Sequence, residues 1–239
     1  MIIKGIQKTT LLDYPGKVAA TIFTGGCNFR CPFCHNASLV IGGQKDLFAN
    51  EEEDIITEED IFAFLGKRQG ILDGVCITGG EPLIQNGIED FIRKIKELGF
   101  LVKLDTNGSF PEKMIALIEE GLVDYVAMDI KNSPEKYDMT AGLDGGIINI
   151  NSINKSIDYL KASNIQYEFR TTVVKELHNI KDIEIIGKWL SGANEYYLQS
   201  FKDSGDLIEA NLHEVSKEEM IEMAKVVKPY FKHVEVRGI

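Results

Sequence analysis

Cys27, Cys31 and Cys34 fall within eight positions in the stretch TGGCNFRCPFCHN, residues 24–36, and the 239-residue chain has only one other cysteine, Cys76. Thiolates are soft ligands suited to zinc or to iron–sulfur clusters, and the spacing C-x3-C-x2-C puts three of them on one short loop. His35 could complete a Cys3His zinc knot, although neighbouring ligands at 34 and 35 must diverge in an extended segment. Alternatively, three thiolates on a four-iron cluster leave one iron without a protein ligand, and an open coordination position is what a reactive cluster needs.

Other chemistry-bearing residues recur at the ends of apolar runs. Glu81 follows Gly79 and Gly80 in TGGEPL, where glycines would let a ligand approach the backbone and the carboxylate could accept from an ammonium. Asp105, Thr106 and Asn107 end FLVKLDTNG, while Asp129 and Lys131 end YVAMDIK. Arg170 stands inside YEFRTTVV and needs an anionic partner, for which Glu81 and Asp129 are candidates. Gln199 and Ser200 end EYYLQS. Cys76, inside GVCIT, reads as a small buried hydrophobe. Trp189 and the Met220/Met223 pair sit at helical spacing and read as packing.

Six apolar, β-branched runs therefore carry these residues: the five named here and VAATIFTGG, which leads into Cys27. All read as buried strands. Helical patterns separate them, as in GIEDFIRKIKELG, where Ile88, Phe91, Ile92, Ile95 and Leu98 share one face and Gly99 ends the helix. Before the second strand, Thr57 and Asp60 have the spacing of a capping box. Strand and helix alternate with connections too short for antiparallel neighbours, which predicts a parallel α/β sheet with right-handed crossovers. In such folds the carboxyl ends of the strands are where sites are built, and the six strand ends are expected to share one rim.

A closed eight-unit barrel takes about 250 residues. Here residues 1–17 form a lead-in and residues 36–56 a long loop, so the expectation is one domain over residues 1–239, a partial (β/α)6 barrel open on one side. HVEVRGI is a candidate extra strand at the end.

A hydrophobic content of 44% and a charged content of 26% suit a globular chain, and the net charge of −11 argues against sequence-independent nucleic-acid binding. The start resembles no signal peptide, and no run of about 18 apolar residues occurs. Four cysteines are too few for a disulfide scaffold. A cytoplasmic protein with no membrane association is expected.

Cys27, Cys31 and Cys34, with aromatic Phe33 before the last cysteine, resemble the signature of radical S-adenosylmethionine enzymes. That resemblance implies a 4Fe-4S cluster on the three cysteines and S-adenosyl-L-methionine chelated to its open iron. Reductive cleavage would then yield a 5'-deoxyadenosyl radical that abstracts hydrogen from the substrate. TGGEPL resembles the family's second motif, so Gly79, Gly80 and Glu81 would hold the methionine amino group. LDTNG and MDIK are similar to the subgroup that activates glycyl-radical enzymes, which includes pyruvate formate-lyase activators. By that likeness Asp105, Thr106 and Asp129 would help form a monovalent-cation site, with Lys131 near the methionyl group and Asn107 beside the cofactor. Arg170 and Gln199 are further candidates for cofactor contact. Gln199 departs from the histidine common in pyruvate formate-lyase activators.

KNSPEKYDMTAG and YYLQSFKDSGDL look most like the longer activating proteins of anaerobic ribonucleoside-triphosphate reductase. The resemblance therefore implies a partner glycine Cα–H as substrate and an electron donor such as flavodoxin, for which Arg30 is a candidate docking point. An open barrel would admit a partner's loop, with residues 36–56 as a docking or gating segment. Activation of another glycyl-radical enzyme, radical chemistry on a small molecule, and a non-catalytic zinc module are the alternatives.

Overall fold

The lead-in expected over residues 1–17 is in part a strand. Ile3–Thr10 (β1) pairs antiparallel with Ala19–Thr24 (β2), and Lys17 N–H donates to the Tyr14 carbonyl at 3.1 Å in the turn between them. Its strand character is masked in the sequence because it lies at the sheet edge and is mostly exposed, so Lys4, Gln7 and Lys8 interrupt the apolar pattern. Charged edge strands of this kind also resist pairing with other chains.

The computed structural model describes residues 1–41, 56–143 and 148–239. The six predicted runs form β2, Gly74–Gly79 (β3), Leu101–Thr106 (β4), Tyr125–Asp129 (β5), Gln166–Val173 (β6) and Glu195–Ser200 (β7). HVEVR forms the extra strand His233–Arg237 (β8). One open sheet runs in the order β1-β2-β3-β4-β5-β6-β7-β8, with parallel pairing from β2 to β4 and from β6 to β8.

Eight helices accompany the sheet among the described residues: Ala37–Ile41 (α1), Glu58–Gly66 (α2), Ile88–Glu97 (α3), Pro111–Glu119 (α4), Tyr137–Thr140 (α5), Ile150–Ala162 (α6), Ile180–Trp189 (α7) and Lys217–Val227 (α8). The long loop expected over 36–56 thus begins with a short helix. Residues 42–55 of that loop, with the docking role expected of them, lie outside the described residues. None of the described helices is long and apolar enough to cross a membrane.

By contacts the chain divides into two units. The first holds residues 1–28, 38–106 and 112–126. In it Ala20, Ile22, Val75, Ile77, Val102 and Leu104 are fully buried on the sheet, and α3 packs against β4 and buries Ile88, Phe91, Ile92 and Ile95. Each of the Val, Ile, Leu and Phe side chains contributes about 1.5–3 kcal/mol. The Thr57 capping box is formed, with Asp60 N–H donating to Thr57 Oγ1 at 3.1 Å and Thr57 N–H to Asp60 Oδ2 at 3.0 Å.

The second unit holds residues 29–37, 107–111 and 127–239. Ile153, Ile157, Ile183, Ile186, Met220 and Met223 bury the helix faces. Trp189 also packs, edge-on to Tyr137, with its indole N–H on Asn154 at 2.9 Å. The opposite face of the sheet is polar. Strand alternation puts Glu168, Arg170 and Thr172 on one side of β6, and register sets Arg170 beside Tyr197 and Thr172 beside Gln199.

Candidate active site

In the first unit, β2 ends at Thr24 and the chain reaches Cys27 through two glycines. Gly26 N–H donates to the Leu39 carbonyl at 2.7 Å, and the Gly26 carbonyl accepts from Glu81 N–H at 2.9 Å. Gly80 N–H reaches the Thr24 carbonyl at 2.9 Å. A Cβ on Gly80 would lie 1.8 Å from the Gly26 carbonyl oxygen, and one on Gly79, whose φ is +116°, would lie 2.4 Å from Thr24 N and O. In the structure the close approach that Gly79 and Gly80 permit is by the protein's own backbone.

Glu81 is fully buried, and its Oε1 accepts from Leu83 N–H at 3.1 Å and from the Thr106 hydroxyl at 2.9 Å. Glu81 thereby caps the Pro82–Ile84 turn and is tied to the end of β4. Asp105 forms an ion pair with Lys103, a residue 1% exposed. Cys76 is buried as expected, but its neighbours are polar: Sγ lies 3.7 Å from Asp105 Oδ1 and 3.9 Å from Lys103 Nζ.

In the second unit, Cys31 and Cys34 are joined by a turn in which Cys34 N–H donates to the Cys31 carbonyl at 3.0 Å. Cys31 is buried and Cys34 half-buried. Phe33 is buried edge-on against His178 at 6.4 Å. His35 packs on Phe201 with ring centroids 5.4 Å apart. Asn107 Oδ1 accepts from Ser109 N–H at 3.0 Å and Oγ at 2.6 Å, which closes a local turn after β4.

Asp129 is the centre of charge in this unit. Two guanidinium nitrogens of Arg170 lie 2.9 Å from Oδ1, and Lys131 Nζ lies 3.1 Å from Oδ2. Burial alone would raise the Asp129 carboxyl, but the charges of Arg170 and Lys131 outweigh it and hold the pKa at about 2. Burial likewise opposes the Lys131 charge, and Asp129 and Cys31 override it, so Lys131 titrates above its ordinary value. Of the two partners considered for Arg170, the structure pairs it with Asp129. A further arm of the network joins Arg170 to buried Glu168 at 3.8 Å, and Glu168 takes both nitrogens of Arg237 at 3.0 Å. Gln199 is half-buried on β7, in register with Arg237.

The radical SAM superfamily model matches residues 21–190. The chain belongs to the radical SAM superfamily. Over 243 aligned positions, covering 100% of this chain and 96% of the relative, it is 36% identical to a candidate glycyl-radical enzyme activating enzyme of Methanocaldococcus jannaschii. A probable GTP 3',8-cyclase of Thermococcus kodakarensis is 30% identical over 65% of this chain and 47% of its own length. Among solved structures, a radical SAM methyltransferase of Sphaerobacter thermophilus superposes with a TM-score of 0.71 at 14% identity, over 94% of this chain and 67% of that one. That likeness identifies the fold as the partial barrel of radical SAM proteins.

Membership implies an enzyme that uses a 4Fe-4S cluster and S-adenosylmethionine, and the residues present suit both. None of Cys27, Cys31 and Cys34 is joined in a disulfide among the described residues. Lys131 lies within electrostatic reach of Cys31. The thiols lie on the loop after β2, and hydrogen-bonded carboxylates stand at the ends of β3, β4 and β5. Sequence reasoning missed Lys103, Glu168 and Arg237. K-x-D within β4 and E-x-R within β6 were the available signals, since residues two apart on a strand share a face.

Proposed function

We propose that the protein is an activase that removes a hydrogen atom from a glycine of a partner glycyl-radical enzyme. The observation that carries this reading is the end-to-end match to the M. jannaschii relative, which spans 100% of this chain and 96% of that one. When bound, a reduced four-iron cluster and S-adenosylmethionine supply one-electron reductive cleavage of a sulfonium and, from it, hydrogen abstraction at carbon.

The roles of the chain's own residues follow from their surroundings. Cys27, Cys31 and Cys34 hold the cluster, and Lys131 neutralises charge beside Cys31. Glu81, fixed through Thr106 and the Leu83 N–H, accepts from the methionine ammonium near Gly79 and Gly80. Asp129 stays ionised at physiological pH and is oriented by Arg170. Phe33, Asn107 and Gln199 line the cofactor's surroundings. A single domain working in the cytoplasm completes the reading.

Anaerobic ribonucleoside-triphosphate reductase is the proposed partner, on the wording of KNSPEKYDMTAG and YYLQSFKDSGDL, and flavodoxin the proposed electron donor. The partial match to a GTP 3',8-cyclase favours a second reading, radical chemistry on a small molecule. One experiment separates them. Anaerobically reconstituted protein, reductant and S-adenosylmethionine are mixed with candidate glycyl-radical enzymes, and a glycyl doublet is sought by electron paramagnetic resonance. The doublet is expected with the reductase. Formation of 5'-deoxyadenosine without a doublet on any candidate overturns the activase reading and leaves the small-molecule one standing.

A further inference from the structure

The resemblance assigns Asp105, Thr106 and Asp129 to a monovalent cation, yet each of these carboxylates already has a cation of the protein's own. On Asp129 these are Arg170 and Lys131. For Asp105 it is Lys103, which reaches forward along the same face of β4. The ammonium of a lysine that is 1% exposed is cut off from bulk water and must be paired within the protein. Among the described residues, Cys76 lies beside it in register on β3, and the Tyr125 ring faces its Nζ at 5.9 Å. Next in register on β2, Thr21 donates its hydroxyl to Asp13 at 2.5 Å.

We propose that the Lys103 ammonium takes the place of the monovalent cation at Asp105, so that the protein binds its cofactor without an added alkali ion. A lysine ammonium is a compact monovalent charge with three donors. It neutralises the carboxylate as an alkali ion would, and its tether keeps it there. A second cation on Asp105 would meet the repulsion of the first at close range in a poorly solvated site. The inference rests on the placement of cofactor near Asp105, so its test also reads cation binding directly.

The full chain, anaerobically reconstituted, is dialysed against S-adenosylmethionine in potassium chloride, sodium chloride or choline chloride at one ionic strength. In parallel, thallium(I), a potassium surrogate, is titrated and followed by its magnetic resonance signal. The wild-type dissociation constant is expected to change by less than about twofold between salts, with no saturable thallium binding. Lys103→Met leaves Asp105 without its ammonium. That variant should bind S-adenosylmethionine about tenfold more weakly in choline, recover in potassium and bind thallium saturably. Lys103→Arg, which keeps the charge, should behave as wild type.

A wild-type protein that binds thallium saturably, or whose cofactor affinity falls tenfold without potassium, overturns the proposal. Lys103→Met that gains no cation dependence overturns it equally, since Lys103 would then be only a packing residue. If Lys103→Met does not fold, Lys103→Gln replaces it under the same criteria, and the wild-type arm decides alone if neither folds. A chain that binds no S-adenosylmethionine under any salt refutes the functional reading instead, and the thallium arm still reports on Lys103.

Discussion

At the scale of single residues, the proposed division of work gives the cluster to the cysteines and its charge balance to the groups beside them. Cys31→Ala removes a soft donor from a position next to Lys131 and leaves the surrounding backbone bonds in place. Iron and labile sulfide content should fall, and 5'-deoxyadenosine formation should stop, with the circular dichroism spectrum unchanged. Retained cleavage would show that the cluster lies elsewhere. His178 works from behind the same loop. It is buried against Phe33, its Nε2 lies 2.8 Å from the Lys131 carbonyl, and Val174 N–H reaches its Nδ1 at 3.1 Å. That pattern places the proton on Nε2 of a neutral ring. Burial lowers its pKa, so below about 6.5 the unfolded chain takes up a proton that the folded chain refuses. Stability contributed by His178 is therefore complete above that pH and is lost on acidification at up to roughly 1.4 kcal/mol per pH unit, until the folded imidazole itself titrates. His35, also lowered by burial, adds in the same direction. Urea unfolding of Cys31-intact protein at neutral and mildly acidic pH should show a smaller loss in His178→Gln than in wild type. An identical loss in both would mean that His178 is charged in the folded state.

Elements set how rigidly the cluster loop is held. Gly80 meets the Gly26 carbonyl in the first unit, and in the second Gly142 meets the Arg30 carbonyl, where a Cβ would lie 1.8 Å from the oxygen. Neither obstacle is a flexible side chain, so Gly80→Ala and Gly142→Ala must each displace backbone next to a proposed cluster cysteine, Cys27 or Cys31. A loss of at least about 1–3 kcal/mol is expected for each. Gly66→Ala is the control, because nothing lies within 4 Å of its added Cβ and the residue is in α2. It should be neutral or stabilising by up to about 1 kcal/mol. Thermal unfolding of the three variants decides the matter, and comparable losses at all three positions would remove the special role of the two close approaches. Helix termini were more legible than these contacts. Thr57 and Asp60 announced one capping box, and the same spacing in Asn179/Asp182 and Ser216/Glu219 starts α7 and α8, where the structure shows both boxes formed.

For the whole molecule the dominant long-range quantity is the net charge of −11. An acidic flavodoxin approaches against that charge, and raising ionic strength from about 0.01 M to about 0.15 M shortens the screening length from about 30 Å to about 8 Å. The proposed donor should therefore reduce the protein faster at the higher salt, as followed by bleaching of the cluster absorbance in stopped flow. A rate that falls instead would mean that a local positive patch around exposed Arg30 governs docking.

The strand–helix alternation from VAATIFTGG to EYYLQS and the cysteine triad were readable from the chain alone, because both are local patterns of residue type and spacing. Even HVEVRGI could be marked as an added strand. β1 could not, since an exposed edge strand buries too little to leave a period-two signature. Nor could the true partners of the acids be read. K-x-D says that Lys103 and Asp105 share a face, but only the packing of β3 and β4 removes water from that face and turns neighbours into an obligatory ion pair. Likewise, the glycines of TGGEPL were readable as a place where something comes close. Only the tertiary structure brings the Gly26 carbonyl against Gly80, because backbone proximity between segments 54 residues apart in sequence is set by how strands stack and not by what either segment spells.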